Sequence, residues 1–330
     1  MHKRQLGKNG PMVSAVGLGC WSFGGAYGPA TEAESHATLD RAHELGIDFL
    51  DTSNVYGNGV SEQVIGSYIK DHPNRFKIAT KGGILGGAGA AKRGFDNSPN
   101  HLREALEKSL KNLGVEHVEL YYIHRRDQEY PIEEVVETLV KFKQEGKIGG
   151  IGFSEISPAS LRRANEVHHV MAVQSEYSLW SRMPELGMVQ ACKELGAALV
   201  AFSPVGRGMF AFEAPDPATF GDTDFRKNNP RFQEPNFSAN LKALEGFKTF
   251  ALEKNTTPAA LAIAWLLKQD DHIIPIPGTR TVAHLEDDAS GESLDLTSDD
   301  LAKIARLLPP GFAHGNRYSA TQQNGPEHYC

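Results

Sequence analysis

One recurring pattern constrains this chain more than any other: a charged amphipathic segment, a glycine, then an apolar β-rich run. It reads AHELGIDFLDTS around Gly46, LKNLGVEHVELYYIH around Gly114, FKQEGKIGGIGFS around Gly146 and CKELGAALVAFSP around Gly196. A glycine that takes the left-handed conformation ends a helix, and an apolar run directly behind it begins a strand. Each is therefore a helix-to-strand junction. The intervening segments predict helices over 32–45, 99–113, 132–144, 158–166, 184–195, 237–254 and 258–269, three of them opened by SPN, SPA and TPA with proline at the first turn. Strands are expected over 16–19, 48–51, 77–81, 118–124, 148–152, 170–174, 198–203 and 273–276. They are short and apolar, as strands covered on both faces must be. Strict alternation implies a parallel α/β sheet, and eight units without a break imply closure as a (β/α)8 TIM barrel.

The 330 residues, 40% hydrophobic and 23% charged, hold enough apolar material for one such domain over 1–330. Segments 82–97 and 205–236, together with the tail 309–330, depart from the rhythm and are expected to border the active site. Connections that long in a compact domain are usually functional. A net charge of −7 argues against a nucleic-acid or anionic-membrane partner. No apolar run approaches the roughly 18 residues of a spanning helix, and MHKRQLGKNG lacks the apolar core of a signal peptide. Cys20, Cys192 and Cys330 stand far apart with no CxxC spacing, so neither a disulfide framework nor a metal site is expected. A cytoplasmic setting fits best.

In a parallel barrel the site forms where strands end. Reading only those ends gives Cys20 with Trp21, Asp51 with Tyr56, Lys81, His124, Ser154 with Glu155, Gln174, Phe202 with Ser203, and Gly278 to Arg280. Tyrosine is a poor proton donor at neutral pH unless a cation stabilises its anion. Lys81 can supply that cation, Asp51 can hold the lysine charged, and His124 can donate to a substrate oxygen. Taken singly, Asp51 reads equally as a turn former, Tyr56 as a packing residue, Lys81 as a rim charge and His124 as a structural histidine paired with Asp127. Their coincidence on strands two, three and four favours a carbonyl-polarising, proton-donating site.

The stretches GIDFLDTSNVYGNGVSE, IATKGG, VELYYIHRRD, GKIGGIGFSE, VQSEYS, VAFSPVGRG and IIPIPGTRTVAHLEDD follow one another in this order. Together they resemble the aldo-keto reductase superfamily over essentially the whole chain, nearest the bacterial and plant-type general reductases with a long loop after strand seven. The resemblance implies that Tyr56 is the general acid, that Lys81 and His124 tune it, and that Asp51 pairs with the lysine. It further implies that NADPH delivers hydride to a small aldehyde or ketone without a metal.

No GxGxxG turn is present, since Gly17, Gly19 and Gly24 do not give that spacing, and GILGGAG reads more readily as a mobile loop than as a phosphate loop. The resemblance instead lays the dinucleotide across the barrel mouth, with Gly19, Cys20 and Trp21 on one side. Ser154, Glu155 and Gln174 match carboxamide-binding positions, and Phe202 the aromatic that stacks on nicotinamide. Ser203, Pro204, Val205, Gly206, Arg207 and Gly208 would hold the pyrophosphate. Gly278, Thr279, Arg280, His284, Asp287 and Asp288 would meet the adenosine end, with Arg280 gripping a 2′-phosphate. Glu155 stands where many relatives carry Asn, and Asp288 likewise, so each is expected to accept but not donate. The substrate wall is expected from Trp21, the loop around 86–95, Met209, Phe210, Phe212, and Phe312 or Tyr318. This suits small aromatic or dicarbonyl aldehydes. Two rivals remain: a Schiff-base aldolase using Lys81, and a nicotinamide-binding subunit that senses redox state for a partner.

Overall fold

The computed structural model describes residues 1–86, 94–222 and 224–329. Eight strands form one sheet: β1 (Leu18–Gly19), β2 (Phe49–Asp51), β3 (Lys77–Gly82), β4 (Val118–Ile123), β5 (Ile148–Ser154), β6 (Ala172–Glu176), β7 (Ala198–Phe202) and β8 (Ile273–Ile276). They lie in chain order and every neighbouring pair is parallel. β8 returns to β1: Gly17 N donates to Pro275 O and Gly19 N to Pro277 O, both at 2.9 Å, and Gly19 bridges Gly278. That seam requires glycine, because a Cβ on Gly19 would stand 2.9 Å from Ile276 O. The sheet is thereby a (β/α)8 barrel, as the alternation predicts.

Side chains alternate across each strand. Leu120 and Tyr122 of β4 point into the barrel cluster with Phe49, Ala79, Val200 and Ile274, whereas Tyr121 and Ile123 face the layer under the helices. Each fully buried aliphatic contributes roughly 1.5–3 kcal/mol. A hairpin of Lys3–Gln5 and Met12–Ser14 closes the end where strands begin. Leu6 and Val13 enter the barrel cluster there, and Arg4 donates to Leu267 O and Ile273 O at 2.6 Å. The opposite end is left as the mouth.

The outer helices are α1 (Glu32–Glu44), α2 (Val60–Asp71), α3 (Pro99–Leu113), α4 (Ile132–Gln144), α5 (Pro158–Val167), α6 (Met188–Leu195), α7 (Asn236–Glu253), α8 (Pro258–Leu267), α9 (Val282–Ser290) and α10 (Ser298–Leu307). The SPN, SPA and TPA starts behave as expected: Ser98, Ser157 and Thr257 each accept from a backbone N–H, with proline in the first turn. Three helices exceed the sequence expectation. α2 follows the left-handed Gly59 with no side-chain cap, which hides its start, and α9 and α10 follow β8 in the polar C-terminal region. The segment expected as one helix over 184–195 divides at Gly187 into a 3-10 turn, Met183–Leu186, and α6.

Three additions build up the mouth. A two-stranded ribbon, Ile84–Leu85 with Gly94–Phe95, follows β3; most of the loop expected there, 87–93, lies outside the described residues. The long connection after β7 makes 3-10 turns at Gly206–Gly208, Pro217–Thr219 and Pro230–Phe232. The tail beyond α10 packs across that connection, with Asn229 Nδ2 donating to Arg317 O at 2.7 Å and Asn240 Nδ2 to His314 O at 3.0 Å. Among the described residues no helix is long and apolar enough to cross a membrane.

Candidate active site

Asp51 ends β2, Lys81 lies in β3, His124 follows β4, and Tyr56 opens the 3-10 turn Tyr56–Gly59. Parallel pairing of these neighbouring strands brings the four together. Lys81 Nζ donates to Asp51, to Thr52 O at 2.8 Å and to the Tyr56 hydroxyl at 3.1 Å, which uses all three ammonium protons. Gln174 Nε2 holds the other oxygen of Asp51 at 2.7 Å. His124 Nδ1 meets Ser53 Oγ at 3.1 Å, and its ring stands edge-on to Tyr56 with centroids 5.8 Å apart. It does not pair with Asp127, which accepts instead from Glu129 N at 3.0 Å. Glycine sets the reach of the phenol: a Cβ on Gly24 would fall 2.6 Å from Gly57 N, so the Trp21–Gly24 and Tyr56–Gly59 turns interlock.

The electrostatics set the protonation of the four. Burial pushes the Tyr56 hydroxyl above its ordinary value, and the nearby Lys81 charge only partly offsets this. Tyr56 therefore rests protonated, with Lys81 placed to stabilise its anion rather than to create it. Burial works against the Lys81 charge, but Asp51 and Tyr56 outweigh it and hold the ammonium above its usual value. Burial, Arg125 and Lys81 press His124 well below the usual histidine range. The ring is neutral, and in the tautomer where Nδ1 accepts from Ser53 the proton sits on Nε2.

The remaining mouth residues divide into two groups. Trp21 lies over Tyr56 with centroids 5.8 Å apart, Phe202 packs against the barrel cluster at the end of β7, and Gly278 adjoins Gly19. Ser203, at φ 52°, Pro204 and Val205 lead into the Gly206–Gly208 turn, whose Arg207 is also left-handed at φ 57°. Thr279 Oγ1 accepts from Thr281 N at 3.1 Å, and Thr281 caps α9 at exposed His284 N. Arg280 Nη1 donates to Tyr27 O at 2.6 Å, and no carboxylate pairs with it among the described residues. Other candidates have engagements of their own. The Cys20 thiol is fully buried and faces Leu18 O at 3.5 Å, while Asp287 is held by Thr257 at the start of α8. Asp288 is buried, and burial together with Asp287 pushes its carboxyl well above the usual range. Its protonated form is thereby favoured, and a protonated carboxyl can donate as well as accept, unlike the carboxylate expected.

Glu155 and Arg207 belong to a buried ion cluster. Glu155, left-handed at φ 57°, accepts from Glu176 N at 2.8 Å and pairs with Arg317 of the tail. Arg207 Nη2 donates to Glu176 at 2.9 Å; Arg317 lies 3.6 Å and Arg231 4.0 Å from the same carboxylate. The contacts expected of Glu155 with a carboxamide and of Arg207 with a pyrophosphate would therefore compete with these partners.

The chain matches the model of the Aldo/keto reductase family over residues 15–309. It belongs to that family. As an aldo-keto reductase it is an oxidoreductase. It is 39% identical to a probable aldo-keto reductase of Glycine max over 98% of this chain and 93% of the relative. It is 38% identical to an aldo-keto reductase of Schizosaccharomyces pombe whose name specifies NADP(+), over 96% and 94%. The structure of a glycerol dehydrogenase from Gluconobacter oxydans superposes with a TM-score of 0.84 at 28% identity, covering 96% of this chain and 98% of that one. An aldo-keto reductase from Bacillus halodurans, in its holo form, gives 0.79 at 26% identity over 98% and 99%.

The apolar residues expected to wall a substrate in this aldo-keto reductase are divided by the fold. Met209 and Phe210 are core residues, Phe210 packing edge-on to Phe247 at 5.5 Å, and Phe212 is exposed. Trp21 and Tyr318, both expected there, are joined by Tyr27 at 5.3 Å and Phe225 at 5.0 Å from Trp21, and Tyr318 meets Phe225. Sequence reasoning missed Tyr27, Phe225, Ser53 and Arg125. It also missed Glu176, for which one signal existed: it follows Gln174 by two residues on β6 and so faces the same way. Among the described residues no three His, Cys, Asp or Glu side chains gather in a metal-binding group.

Proposed function

We propose that this chain, taken as one barrel domain, reduces small aldehydes and ketones to alcohols with NADPH, Tyr56 acting as general acid. The observation that carries the reading is the bonding of Lys81, whose ammonium donates to both Asp51 and the Tyr56 hydroxyl. NADPH, when bound, supplies the hydride that the carbonyl carbon accepts. Every other task falls to the protein. Tyr56 gives its proton to the carbonyl oxygen as negative charge develops there, and the adjacent Lys81 charge stabilises the tyrosinate left behind. His124, neutral, donates from Nε2 to the same oxygen. Asp51, oriented by Gln174, keeps Lys81 charged. A lysine so held is a poor Schiff-base nucleophile, which counts against the aldolase reading.

One feature supports a fit to a phosphorylated dinucleotide. Among the described residues Arg280 meets one acceptor, Tyr27 O, and leaves most of its guanidinium open near the seam of β1 and β8, which suits a 2′-phosphate. The nicotinamide end would lie near Trp21, Ser154, Gln174 and Phe202, and the phosphates near Ser203–Gly208. The name of the fission-yeast relative agrees with this choice of cofactor. Replacing Tyr56 by Phe should lower turnover of 4-nitrobenzaldehyde by about 10²–10⁴-fold while NADPH fluorescence titration shows unchanged binding. Near-normal turnover in that variant would refute the assignment.

A further inference from the structure

The arginines around the mouth are almost all paired with carboxylates. Arg207 takes Glu176 at 2.9 Å, Arg226 takes Asp224 at 2.7 Å, Arg126 takes Glu327 at 3.4 Å, and Arg317 takes Glu155. Among the described residues two stand apart. Arg280 is one, already assigned to a phosphate. Arg125, directly after His124, is the other, and the proposed reaction leaves it without a task.

Arg125 is held rather than loose. Its Nη1 donates to His124 O at 2.6 Å and to Ser154 Oγ at 3.0 Å, so both protons of that nitrogen are used. The tail packs on its stem: a Cβ on Gly325 would stand 3.0 Å from Arg125 Nε. The N–H groups on Nε and Nη2 meet no acceptor among the described residues, and the side chain is only half-buried. These groups form the edge that grips a carboxylate with two parallel bonds. Arg125 adjoins the site through the chain and through Ser154, and its charge acts on the Tyr56 hydroxyl, the His124 ring and Tyr318.

We propose that Arg125 selects carbonyl substrates that carry a carboxylate, binding the anionic group of a short oxo acid while its carbonyl oxygen sits at Tyr56 and His124. The inference rests on the reductase reading and names its substrate class. An aldehyde of the same length without the acid would find the same oxygen site but leave the guanidinium edge unpaired.

The test compares oxo acids from glyoxylate to 4-oxobutanoate with neutral aldehydes of matched length, in wild type, Arg125→Gln and Arg125→Lys. Wild type should favour at least one oxo acid over its neutral match. Arg125→Gln should raise KM for that acid by about 10–100-fold, the loss of a charged two-bond contact, with kcat/KM for the neutral aldehyde within about threefold. Arg125→Lys, keeping charge without the fork, should lie between. No preference in wild type, equal losses on both substrate types, or a raised KM for NADPH would each overturn the proposal. Turnover of neutral aldehydes in those cases leaves the reductase reading standing; absence of turnover on every carbonyl overturns both.

Discussion

Glu155 and Arg317 stand 162 positions apart and form a largely buried ion pair, joining the end of β5 to the C-terminal tail. Glu176 and Arg207 extend the pair into a cluster that also fastens the connection after β7. Three segments that adjoin the proposed cofactor path are thereby tied at one point.

Arg317→Met removes one member of this cluster and leaves Glu155 buried without its cation. Breaking a buried pair by one partner costs about 3–5 kcal/mol. Urea unfolding should report a loss of that order, and limited proteolysis should cut within 309–329. Adding Glu155→Gln should restore part of the loss; a double variant no better than the single one would show that the pairing is not its cause.

The cluster also sets an acid limit. Burial raises the Glu176 carboxyl, but Arg207, Arg317 and Arg231 outweigh it and hold it below the ordinary 4.5. A carboxyl lowered by folding contributes stability that is complete above its unfolded value and lost as pH falls from there through the folded one. Thermal midpoints should therefore fall below about pH 4.5, and less steeply in Glu176→Gln once its lower baseline is subtracted.

Asp288 behaves in the opposite sense. Its carboxyl is raised well above the ordinary 3.8 by burial and by Asp287, so its stability contribution is present at low pH and lost as pH rises. Asp288→Asn should be more stable than wild type at neutral pH, with the gap closing toward pH 4. A protonated carboxyl and an amide both donate and accept, so NADPH affinity on the acid side of the transition should change by less than about threefold. A gap that grows on acidification would contradict this account.

Lys81→Met takes away the ammonium that both Asp51 and Tyr56 contact. Carbonyl reduction should drop by about 10²–10⁴-fold with NADPH binding retained in equilibrium titration. Unchanged turnover would remove Lys81 from the chemistry.

Arg280→Ala should loosen NADPH by roughly 10–100-fold through loss of charged hydrogen bonds, and NADH by less than about threefold. Equal weakening of the two would deny contact with the 2′-phosphate.

Much of this was legible in the chain. The glycine junctions and capping prolines follow from local backbone chemistry, which is why all eight strands fall where the pattern puts them. Asp51, Lys81 and His124 were readable because parallel strands place consecutive strand ends side by side. Helix α2 escaped because its start carries glycines instead of a capping side chain. Met209 and Phe210 misled because an apolar residue in a long loop reads the same whether it lines a mouth or fills a core.

The sequence by itself determined the alternating order, the barrel, the family and the grouping of Asp51, Lys81 and His124 about Tyr56 as a candidate site, because each rests on neighbours in the chain or on adjacent strands. Only the tertiary structure decided how charges are shared. Whether Glu155 faces a cofactor or a tail, whether Asp288 is charged, and which arginines remain unpaired depend on groups brought together from distant segments. Burial fixes their protonation and ion pairing, and neither quantity is carried by local sequence.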